Sequence, residues 1–305
     1  MQIEINRSNP KLSIIIPSYN SAGTIADCLS SLLNQKTERQ LEIIVVDSSQ
    51  DQTPRIVRDK FPQVRLIHLG QKTDQGSARN IGTKTASGDI LFFIDSDCIA
   101  PPDWIEQMLA GHSQGYSAVG GPIVNANPES LISYAGYLLE FNDLLPPKSG
   151  MEVNHLPSGN VSYRREILEK GGGFPAASGY YLEDLLFNNR LSQTGVKMWY
   201  DPKIPMAHVH RSTWRDFIRH QIVYGKSNVH LLRHTRMQGA FIARHPYLCL
   251  PLLPLLPIVK FCRVAWRFFS WSPKEFFKHP LIFAILALGL LFWFYGFVRE
   301  LFNLS

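Results

Sequence analysis

Two carboxylates separated by one residue, Asp95 and Asp97, come directly after a short apolar run, Ile90–Ile94. Because this run is too short for a buried helix and is bounded by turn residues, it is typical of a buried strand. On a strand that continues through Asp97, the two side chains share one face. Two hard oxygen ligands on one face suit a divalent cation that also holds phosphate oxygens, and Arg79 upstream is a candidate phosphate clamp. An acidic turn without a metal fits the pair as well, so the choice depends on the surrounding chain.

Polar residues also follow two other predicted strands. Tyr19 and Asn20 come after the first strand, and Asp47 comes after the second. Strands and helices alternate here, and the strands are almost continuously apolar, which predicts a parallel sheet covered on both faces. Ligands of such sheets bind beyond the carboxyl ends of the strands, so these residues indicate one site. The predicted strands are Lys11–Ser18, Leu41–Val46, Val64–Leu69 and Ile90–Ile94, and the predicted helices are Thr24–Leu33, Pro54–Lys60 and 77–86.

The following part of the chain, up to residue 210, is less regular. Residues 126–157 are weakly patterned and contain a loop around Pro146 and Pro147. The acidic pair Glu183–Asp184 lies near the start of a predicted helix, where it fits either a favourable interaction with the helix dipole or a catalytic role. The predicted helices are Asp103–Ala110, Glu166–Lys170 and Tyr181–Ser192, and the predicted strands are Ala118–Val124 and Val196–Tyr200.

The composition is that of a folded protein with an uneven charge distribution. The 305 residues are 45% hydrophobic and 18% charged, which excludes a disordered chain. The net charge of +6 is concentrated in residues 211–279, which hold twelve Lys and Arg against Asp216 and Glu275. A basic block beside apolar segments favours an anionic membrane surface over nucleic acid. The four cysteines show no metal-site spacing and are expected to be free thiols in a reducing compartment.

The last third of the chain has the features of a membrane-associated region. Apolar residues recur at helical spacing over Thr213–Arg236, with basic residues between them, as in an interfacial helix; an ordinary surface helix is the alternative. Pro246–Val259 is uncharged but contains four prolines, so it fits an interfacial or re-entrant segment. Leu281–Val298 is uncharged over a helical length of about 27 Å, which predicts a transmembrane helix, a buried core helix being the alternative.

Six motifs occur in order along the chain: SIIIPSYN, IIVVDSSQDQT, GSARNIG with GDILFFIDSD, SGNVSYRREILEKGGGF, YLEDLLFNNRLSQTG and AHVHR. Together they resemble the motifs of the family 2 glycosyltransferases, which have the GT-A fold. The resemblance covers roughly residues 11–225 and implies a Rossmann-like mixed sheet with helices on both faces, here followed by amphipathic and membrane helices. It also implies transfer of a sugar, with inversion, from a UDP- or GDP-sugar in the presence of Mg²⁺ or Mn²⁺.

The resemblance implies roles for the residues on the donor side. Pro17, Tyr19 and Asn20 are expected to line the base and the ribose, and Asp47 to accept a hydrogen bond from the base. Arg79 is expected to approach the diphosphate. These assignments follow from the positions of the matching motifs in this sequence.

The next residues are those expected at the ribose and at the metal. Asp95 is expected near the ribose and Asp97 on the metal, with His208 as a further metal ligand and His210 as its alternate. The two histidines point the same way on an extended chain, so either one is a candidate to contact the metal or the diphosphate, and ordinary core or surface histidines are the alternative.

The acidic pair supplies the expected catalytic groups. Asp184 is expected to be the general base that removes a proton from the acceptor hydroxyl, with Glu183 beside it. A single displacement with inversion needs only one such base.

Two departures from the family pattern bear on function. The loop after Asp47 reads SSQDQT, with Ser48 and Ser49 where the family has an acid and a glycine, which leaves the nucleotide preference open. The Gln-x-x-Arg-Trp motif of processive members is replaced by Gln221-Ile-Val-Tyr-Gly225, so the enzyme is expected to be non-processive.

These inferences predict a membrane-attached glycosyltransferase that acts on a lipid-linked or polysaccharide acceptor in the cell envelope. The expected divisions are a catalytic domain at 1–210, with a nucleotide half at about 11–100 and an acceptor half at about 101–210, then amphipathic helices at 211–245 and a membrane region at 246–305. The N-terminus lacks the apolar region of a signal peptide, and basic residues flank the apolar segments. We therefore expect attachment to the inner membrane with the catalytic domain in the cytoplasm.

Two other functions are compatible with the sequence. One is sugar transfer to a polyprenyl phosphate, which needs no general base. The other is a non-catalytic scaffold that binds nucleotide sugar within a polysaccharide assembly complex. A nucleotidyltransferase fits less well, because the Gly-rich loop expected after the first strand is replaced by PSYNSAG.

Overall fold

The computed structural model describes residues 10–176 and 181–303, which form two compact units. Within the described residues, unit 1 consists of 10–123, 148–176 and 183–207, and unit 2 consists of 124–147, 181–182 and 208–303. Each unit thus combines segments that are distant in the sequence.

The described residues contain eleven strands and twelve α-helices. The strands are β1 (Leu12–Ser18), β2 (Leu41–Asp47), β3 (Arg65–His68), β4 (Ile90–Ile94), β5 (Cys98–Ile99), β6 (Ala118–Gly120), β7 (Ile123–Asn125), β8 (Met151–Val153), β9 (Asn160–Arg164), β10 (Met198–Tyr200) and β11 (Met206–His208). The helices are α1 (Ile25–Leu33), α2 (Thr53–Lys60), α3 (Gln75–Thr85), α4 (Trp104–Ser113), α5 (Leu131–Phe141), α6 (Arg165–Lys170), α7 (Glu183–Ser192), α8 (Trp214–His234), α9 (Ala240–Arg244), α10 (Leu256–Trp271), α11 (Pro273–Lys278) and α12 (Ile282–Leu301). Short 3-10 helices lie at Asn142–Leu144 and Leu250–Leu255.

Unit 1 is built on an eight-stranded mixed sheet in the order β3-β2-β1-β4-β9-β6-β10-β8. Its first four strands are parallel, and β1 is in register with β2 so that Ser18 lies opposite Asp47. This half confirms the four strands and three helices predicted from the alternating pattern, with bounds that differ by at most two residues. The carboxyl ends of β1, β2 and β4 therefore meet at one edge of the sheet, where ligands of such folds bind.

The second half of the sheet contains a strand that the sequence pattern did not predict. Strand β9 runs antiparallel between β4 and β6, although it carries buried polar side chains at Asn160 and Ser162. Asn160 accepts a hydrogen bond from Trp104 Nε1 at 2.9 Å and donates to the backbone oxygen of Ile204 at 2.7 Å. Because these partners come from distant segments, the polar residues are compatible with a central strand only in the folded protein.

The predicted strand Ala118–Val124 is divided between two sheets. Strand β6 belongs to the large sheet, whereas β7 belongs to a three-stranded sheet of order β5-β11-β7. The chain turns at Gly121, where a Cβ atom would lie 2.3 Å from the backbone oxygen of Ile204. The close backbone approach explains why the strand is interrupted there.

Unit 2 is helical, and α12 packs closely against α8. A Cβ atom on Gly225 would lie 2.0 Å from the backbone oxygen of Trp293, and one on Gly296 would lie 2.0 Å from that of Ile222. Helix α5, from the weakly patterned segment, joins the same hydrophobic core through residues such as Leu138. Among the described residues only α12 is long and apolar enough to cross a membrane by length and composition, and 44% of its most apolar window is buried within the protein.

The segment Pro246–Val259 differs from a re-entrant hairpin. It forms a 3-10 helix at Leu250–Leu255 and then enters α10, which continues to Trp271. Pro251 and Pro254 lie in the 3-10 helix, and Pro257 lies in the first turn of α10, where a missing backbone N–H is tolerated. Pro246 lies before both helices.

Helix α3 is held against β1 by a glycine. A Cβ atom on Gly82 would lie 2.4 Å from Cγ2 of Ile15, which is fully buried. An alanine on an exposed helix would stabilise the protein by about 1 kcal/mol relative to glycine. We expect Gly82→Ala instead to lower the free energy of unfolding by about 1–3 kcal/mol, because the helix must move away from the sheet.

Urea unfolding measures this effect, and Gly23→Ala is the matched control. A Cβ atom on Gly23 meets nothing within 4 Å, so that variant should change the free energy of unfolding by no more than about 0.5 kcal/mol. A Gly82→Ala protein as stable as wild type would contradict the packing described for α3.

Candidate active site

The Asp95/Asp97 pair lies in a turn and not on a continuing strand. Strand β4 ends at Ile94, and both carboxylates are half-buried in the segment that follows. The strand thus ends where the sequence indicates that the pair begins, and the two carboxylates do not lie on one face of a continuing strand. Ser96, between them, makes a 2.7 Å hydrogen bond with Ser21 Oγ and so connects the turn to the loop after β1.

Arg79 is the centre of a buried ion-pair network. Its side chain is fully buried; Nη2 donates to Asp95 Oδ1 at 2.6 Å, and Nη1 donates to Glu183 Oε1. The guanidinium also lies over the ring of Phe174, 5.6 Å from its centroid. Arg79 was expected to approach the diphosphate, but the structure gives both of its terminal nitrogens to carboxylates of the protein.

The other residues of the GSARNIG segment position this arginine. Asn80 donates to the backbone oxygen of Phe174 at 2.7 Å and accepts from its backbone N–H at 2.9 Å. A Cβ atom on Gly76 would lie 2.5 Å from the backbone oxygen of Pro175. The segment therefore fixes the chain around Phe174, and α3 holds Arg79 between β4 and α7.

The neighbouring carboxyls Glu183 and Asp184 have different environments. Burial raises the pKa of Glu183 to about 7, although the Arg79 guanidinium acts in the opposite direction. Burial would also raise the pKa of Asp184, but His155, the Ser158 N–H and the Arg79 charge hold it at about 2. Ser158 N donates to Asp184 Oδ2 at 3.0 Å, and His155 Nε2 lies 3.8 Å from the same oxygen. Asp184 is thus ionised at neutral pH, whereas burial opposes the ionisation of Glu183 and the Arg79 guanidinium favours it.

The loop after β1 supplies the exposed part of the site. Tyr19 is 40% exposed, and Lys72 Nζ lies 4.5 Å from the centroid of its ring. Asn20 has a φ of 52° and is fixed in this left-handed conformation by two bonds: its N–H donates to Ser49 Oγ at 2.6 Å, and its Oδ1 accepts from Gln50 N at 3.0 Å. These bonds join the loops after β1 and β2.

Asp47 and Pro17 are more enclosed than a direct contact with a nucleotide base would suggest. Pro17 is buried within β1, and Asp47 is fully buried at the end of β2. Asp47 Oδ1 accepts from Ser49 Oγ at 2.5 Å, while Oδ2 lies 2.8 Å from His68 Nδ1. Both carboxylate oxygens therefore contact neighbouring side chains and hold the SSQDQT loop.

The two candidate histidines are at the start of unit 2, whereas Asp97 belongs to unit 1. Both are buried, and their ring centroids lie 4.2 Å apart. His210 is anchored through its backbone, which exchanges two hydrogen bonds with the side chain of Asn127 at 2.9 and 3.0 Å. Burial and the neighbouring His208 hold the pKa of His210 well below its usual range, so its imidazole is neutral.

Several residues of the site were not singled out from the sequence. His68 lies at the end of β3 opposite Asp47, and the same strand-end argument that selected Asp47 could have selected it. Ser49 was noted only as a departure from the family pattern. His155 and Ser158 lie in loops between weakly patterned segments, and no sequence signal connects them to Asp184.

The ion pairs of Arg79 can be tested by removing its charge. In Arg79→Met the buried carboxylates of Asp95 and Glu183 lose their counterion, so we expect the free energy of unfolding to fall by about 3–5 kcal/mol. Arg79→Lys retains one charge but not the two-armed geometry, and an intermediate loss is expected. Urea unfolding at neutral pH measures both.

The control is Arg55→Met, which removes an exposed ion pair with Asp59 at 3.3 Å and should cost less than about 1 kcal/mol. Equal losses in Arg79→Met and Arg55→Met would show that the buried pairs do not hold α3, β4 and α7 together.

Comparison with known proteins connects this geometry to a family. The family model described as "Glycosyl transferase family 2" matches residues 13–172, which is more than half of the chain. Glycosyltransferase AglE of Haloferax volcanii is 27% identical over 228 residues, covering 72% of this chain and 73% of that protein. The O-antigen chain rhamnosyltransferase RfbN of Salmonella typhimurium is 27% identical over 218 residues, covering 68% of each chain.

A solved structure has the same fold. The mannosyltransferase PcManGT of Pyrobaculum calidifontis, in complex with GDP-Man and Mn²⁺, aligns with a TM-score of 0.61 and 19% identity, covering 97% of this chain and 88% of that one. This similarity confirms the GT-A fold expected from the sequence. With the match to the family model, it follows that the chain belongs to glycosyl transferase family 2 and is a glycosyltransferase.

Proposed function

We propose that this enzyme is an inverting, non-processive glycosyltransferase that transfers a sugar from a UDP- or GDP-sugar to a lipid-linked or polysaccharide acceptor of the cell envelope. The observation that carries the proposal is the double ion pair of Arg79. It connects Asp95, after β4, to Glu183, the first residue of α7, and thereby brings donor-side and acceptor-side motifs into one network. Asp184 follows directly and is ionised, as a general base must be.

The exposed ring of Tyr19 and the loop around Asn20 are assigned to the base and the ribose of the donor. A partly exposed aromatic ring offers a surface on which a base can stack. Pro17 and the buried Asp47 support this loop from beneath; Asp47 acts through Ser49 and His68. Arg79 is assigned to orienting Asp95 toward the ribose, since both of its terminal nitrogens are paired with carboxylates of the protein.

Asp97 is assigned to a divalent cation, Mg²⁺ or Mn²⁺, with His208 as a further ligand and His210 as its alternate. The donor atoms fit, because carboxylate oxygen and neutral imidazole nitrogen are both ligands of Mn²⁺. Strand β5 begins directly after Asp97, and β11, its neighbour in the small sheet, ends at His208. When bound, such a cation offsets the charge on the leaving nucleoside diphosphate.

On the acceptor side, Asp184 is assigned to removing the proton from the attacking hydroxyl. The Ser158 N–H holds the carboxylate of Asp184 in place, and this carboxylate is ionised, so the base is ready before the acceptor binds. Glu183 is assigned to positioning Asp184 through Arg79, since the Glu183 side chain is buried and already paired.

The cellular setting is proposed from the C-terminal unit and the relatives. The similarity to RfbN, an O-antigen chain rhamnosyltransferase, favours an envelope glycan. The apolar and basic C-terminal residues favour attachment to anionic lipids at the inner membrane, with unit 1 in the cytoplasm.

Titration calorimetry tests the donor site. We expect one of UDP and GDP to bind wild-type protein only in the presence of Mn²⁺, and we expect Asp97→Ala to weaken that binding at least about tenfold, because the cation shares its ligands between the protein and the diphosphate. Asp59→Ala, an exposed aspartate on α2, is the control and should bind as wild type does. Metal-independent binding, or an unaffected Asp97→Ala, would refute the metal assignment.

Turnover tests the base. We expect Asp184→Asn to lower the transfer rate by about 10²–10⁴-fold with unchanged nucleotide affinity, because the amide cannot accept the proton. The assay uses nucleotide sugars with membrane extract as the acceptor source, and Asp59→Asn is the control. A loss of less than about tenfold would instead favour a phosphate acceptor, which attacks without a base. Nucleotide binding without any transfer or donor hydrolysis by wild-type protein would favour the scaffold.

A further inference from the structure

The exposed hydrophobic side chains of this protein are concentrated in one part of the chain. Among residues 10–176 and 181–303, all the exposed large hydrophobic side chains except Tyr19, Leu33, Met151 and Trp214 lie between Phe241 and Tyr295. All of those belong to unit 2. Such a concentration is unusual for a surface that faces only water and indicates an interaction surface.

On α10 and α12 these side chains form stripes along one side of each helix. Val259, Arg263 and Trp266 are all exposed and follow one another at spacings of four and three residues, so they lie on one face of α10. Leu288, Leu291 and Tyr295 are also exposed and follow one another at spacings of three and four residues, so they lie on one face of α12. The 3-10 segment before α10 adds Leu250, Leu252 and Leu255, each at least 50% exposed. We call the hydrophobic side chains of these three segments, without Arg263, the apolar face.

The charges around the apolar face are almost all positive. Glu275 is the only acidic residue from 241 to 298 in the sequence. The exposed basic side chains of that stretch are Arg244, Arg263, Lys274 and Lys278. Trp266 and Arg263 share one exposed stripe, an arrangement that suits the boundary between lipid headgroups and acyl chains. The charge is complementary to anionic lipids.

The packing of α12 argues against a transmembrane position for this helix. The helix runs alongside α8: Gly289 is next to Phe217, Gly296 is next to Ile222, and Arg233 at the end of α8 donates to the backbone oxygen of Leu301 at 2.9 Å. Contacts thus extend over nearly the whole length of both helices.

Helix α8 carries charges along this same length. Arg219 and Lys226 lie between its contacts with the two ends of α12. If α12 crossed the hydrocarbon in this packing, α8 would bring both cations into it at an unfavourable free energy. A face that lies in the membrane plane avoids that transfer, because only one side of α12 contacts lipid.

We propose that unit 2 attaches to an anionic membrane as a monotopic unit, with the apolar face buried in one leaflet and α12 parallel to the membrane surface. One consequence of this attachment rests on the proposed function. If the acceptor is lipid-linked, it would reach the enzyme from the leaflet that the apolar face enters. Membrane binding itself does not depend on sugar transfer, so either proposal can fail without the other.

Vesicle co-sedimentation of the full chain tests the binding. We expect tighter binding to vesicles of phosphatidylcholine with phosphatidylglycerol than to phosphatidylcholine alone. The double variant Val259→Glu/Trp266→Glu should weaken binding at least tenfold, whereas Leu33→Glu/Met151→Glu, exposed hydrophobic residues in unit 1, should not. All four positions are exposed, so both double variants should fold. Equal binding by both double variants would overturn the proposal.

The same assay tests the basic residues. Arg263→Gln/Lys274→Gln should reduce the preference for anionic vesicles at least threefold and leave binding to neutral vesicles unchanged. The control is Arg58→Gln/Lys60→Gln on α2, which are also exposed. If the wild type shows no preference for anionic vesicles, the proposal is refuted. If it self-associates through the apolar face in place of binding vesicles, the proposal is also refuted, and the face is an interface between copies.

Cysteine labelling distinguishes a monotopic unit from a transmembrane helix. In a Cys262→Ser background the remaining native cysteines are buried, so single exposed cysteines can be introduced at Leu281, Asn303 and, as the reference in unit 1, Leu33. An impermeant maleimide is applied to inverted and to right-side-out membrane vesicles. We expect Leu281→Cys, Asn303→Cys and Leu33→Cys to react in the same vesicle orientation. Reaction of Leu281→Cys and Asn303→Cys in opposite orientations would show that α12 spans the membrane.

Discussion

The buried guanidinium of Arg79 is the constraint on which the catalytic unit depends. A fully buried cation is stable only when it is paired, and here Asp95 and Glu183 provide both counterions. Because one carboxylate follows β4 and the other begins α7, the pairing fixes the relative positions of three segments that lie far apart in the sequence. Substituting either carboxylate would leave the buried Arg79 cation with one counterion fewer, which is also unfavourable. The network therefore behaves as one unit.

This network separates the behaviour of two adjacent carboxyls. Glu183 faces inward, where burial raises its pKa, while Asp184 receives hydrogen bonds and positive charge that lower its pKa. The backbone supports the arrangement: Leu182, directly before the pair, has a φ of 73°, an unfavourable conformation for a bulky residue. Asn20 has a similar conformation in the loop after β1. Backbone strain at functional loops is maintained by the surrounding structure, at Asn20 by the hydrogen bonds that join the loops after β1 and β2.

In unit 2 the decisive interaction is the close approach of two helices. Gly225 and Gly296 allow the backbones of α8 and α12 to come together, so a strongly basic helix and a strongly apolar one share a single interface. The apolar helix therefore has two different sides: one buried against the protein and one exposed. Hydropathy averaged along its length cannot distinguish these sides, which is why a sequence suited to a transmembrane helix also suits a helix at the membrane surface.

The sequence by itself determined the parallel half of the sheet, the strand ends that carry Tyr19, Asn20, Asp47 and Asp95, and the family, because these depend on local periodicity and on short ordered motifs. It did not determine β9 or α5. The polar residues of β9 find partners in distant segments, and the apolar side of α5 finds neighbours in the C-terminal helices and at His208 and His210. The partners of Arg79 and the contacts of His155 with Asp184 were likewise decided by the tertiary structure. A pairing between residues separated by about a hundred positions leaves no periodic trace in either segment, so only the folded chain reveals it.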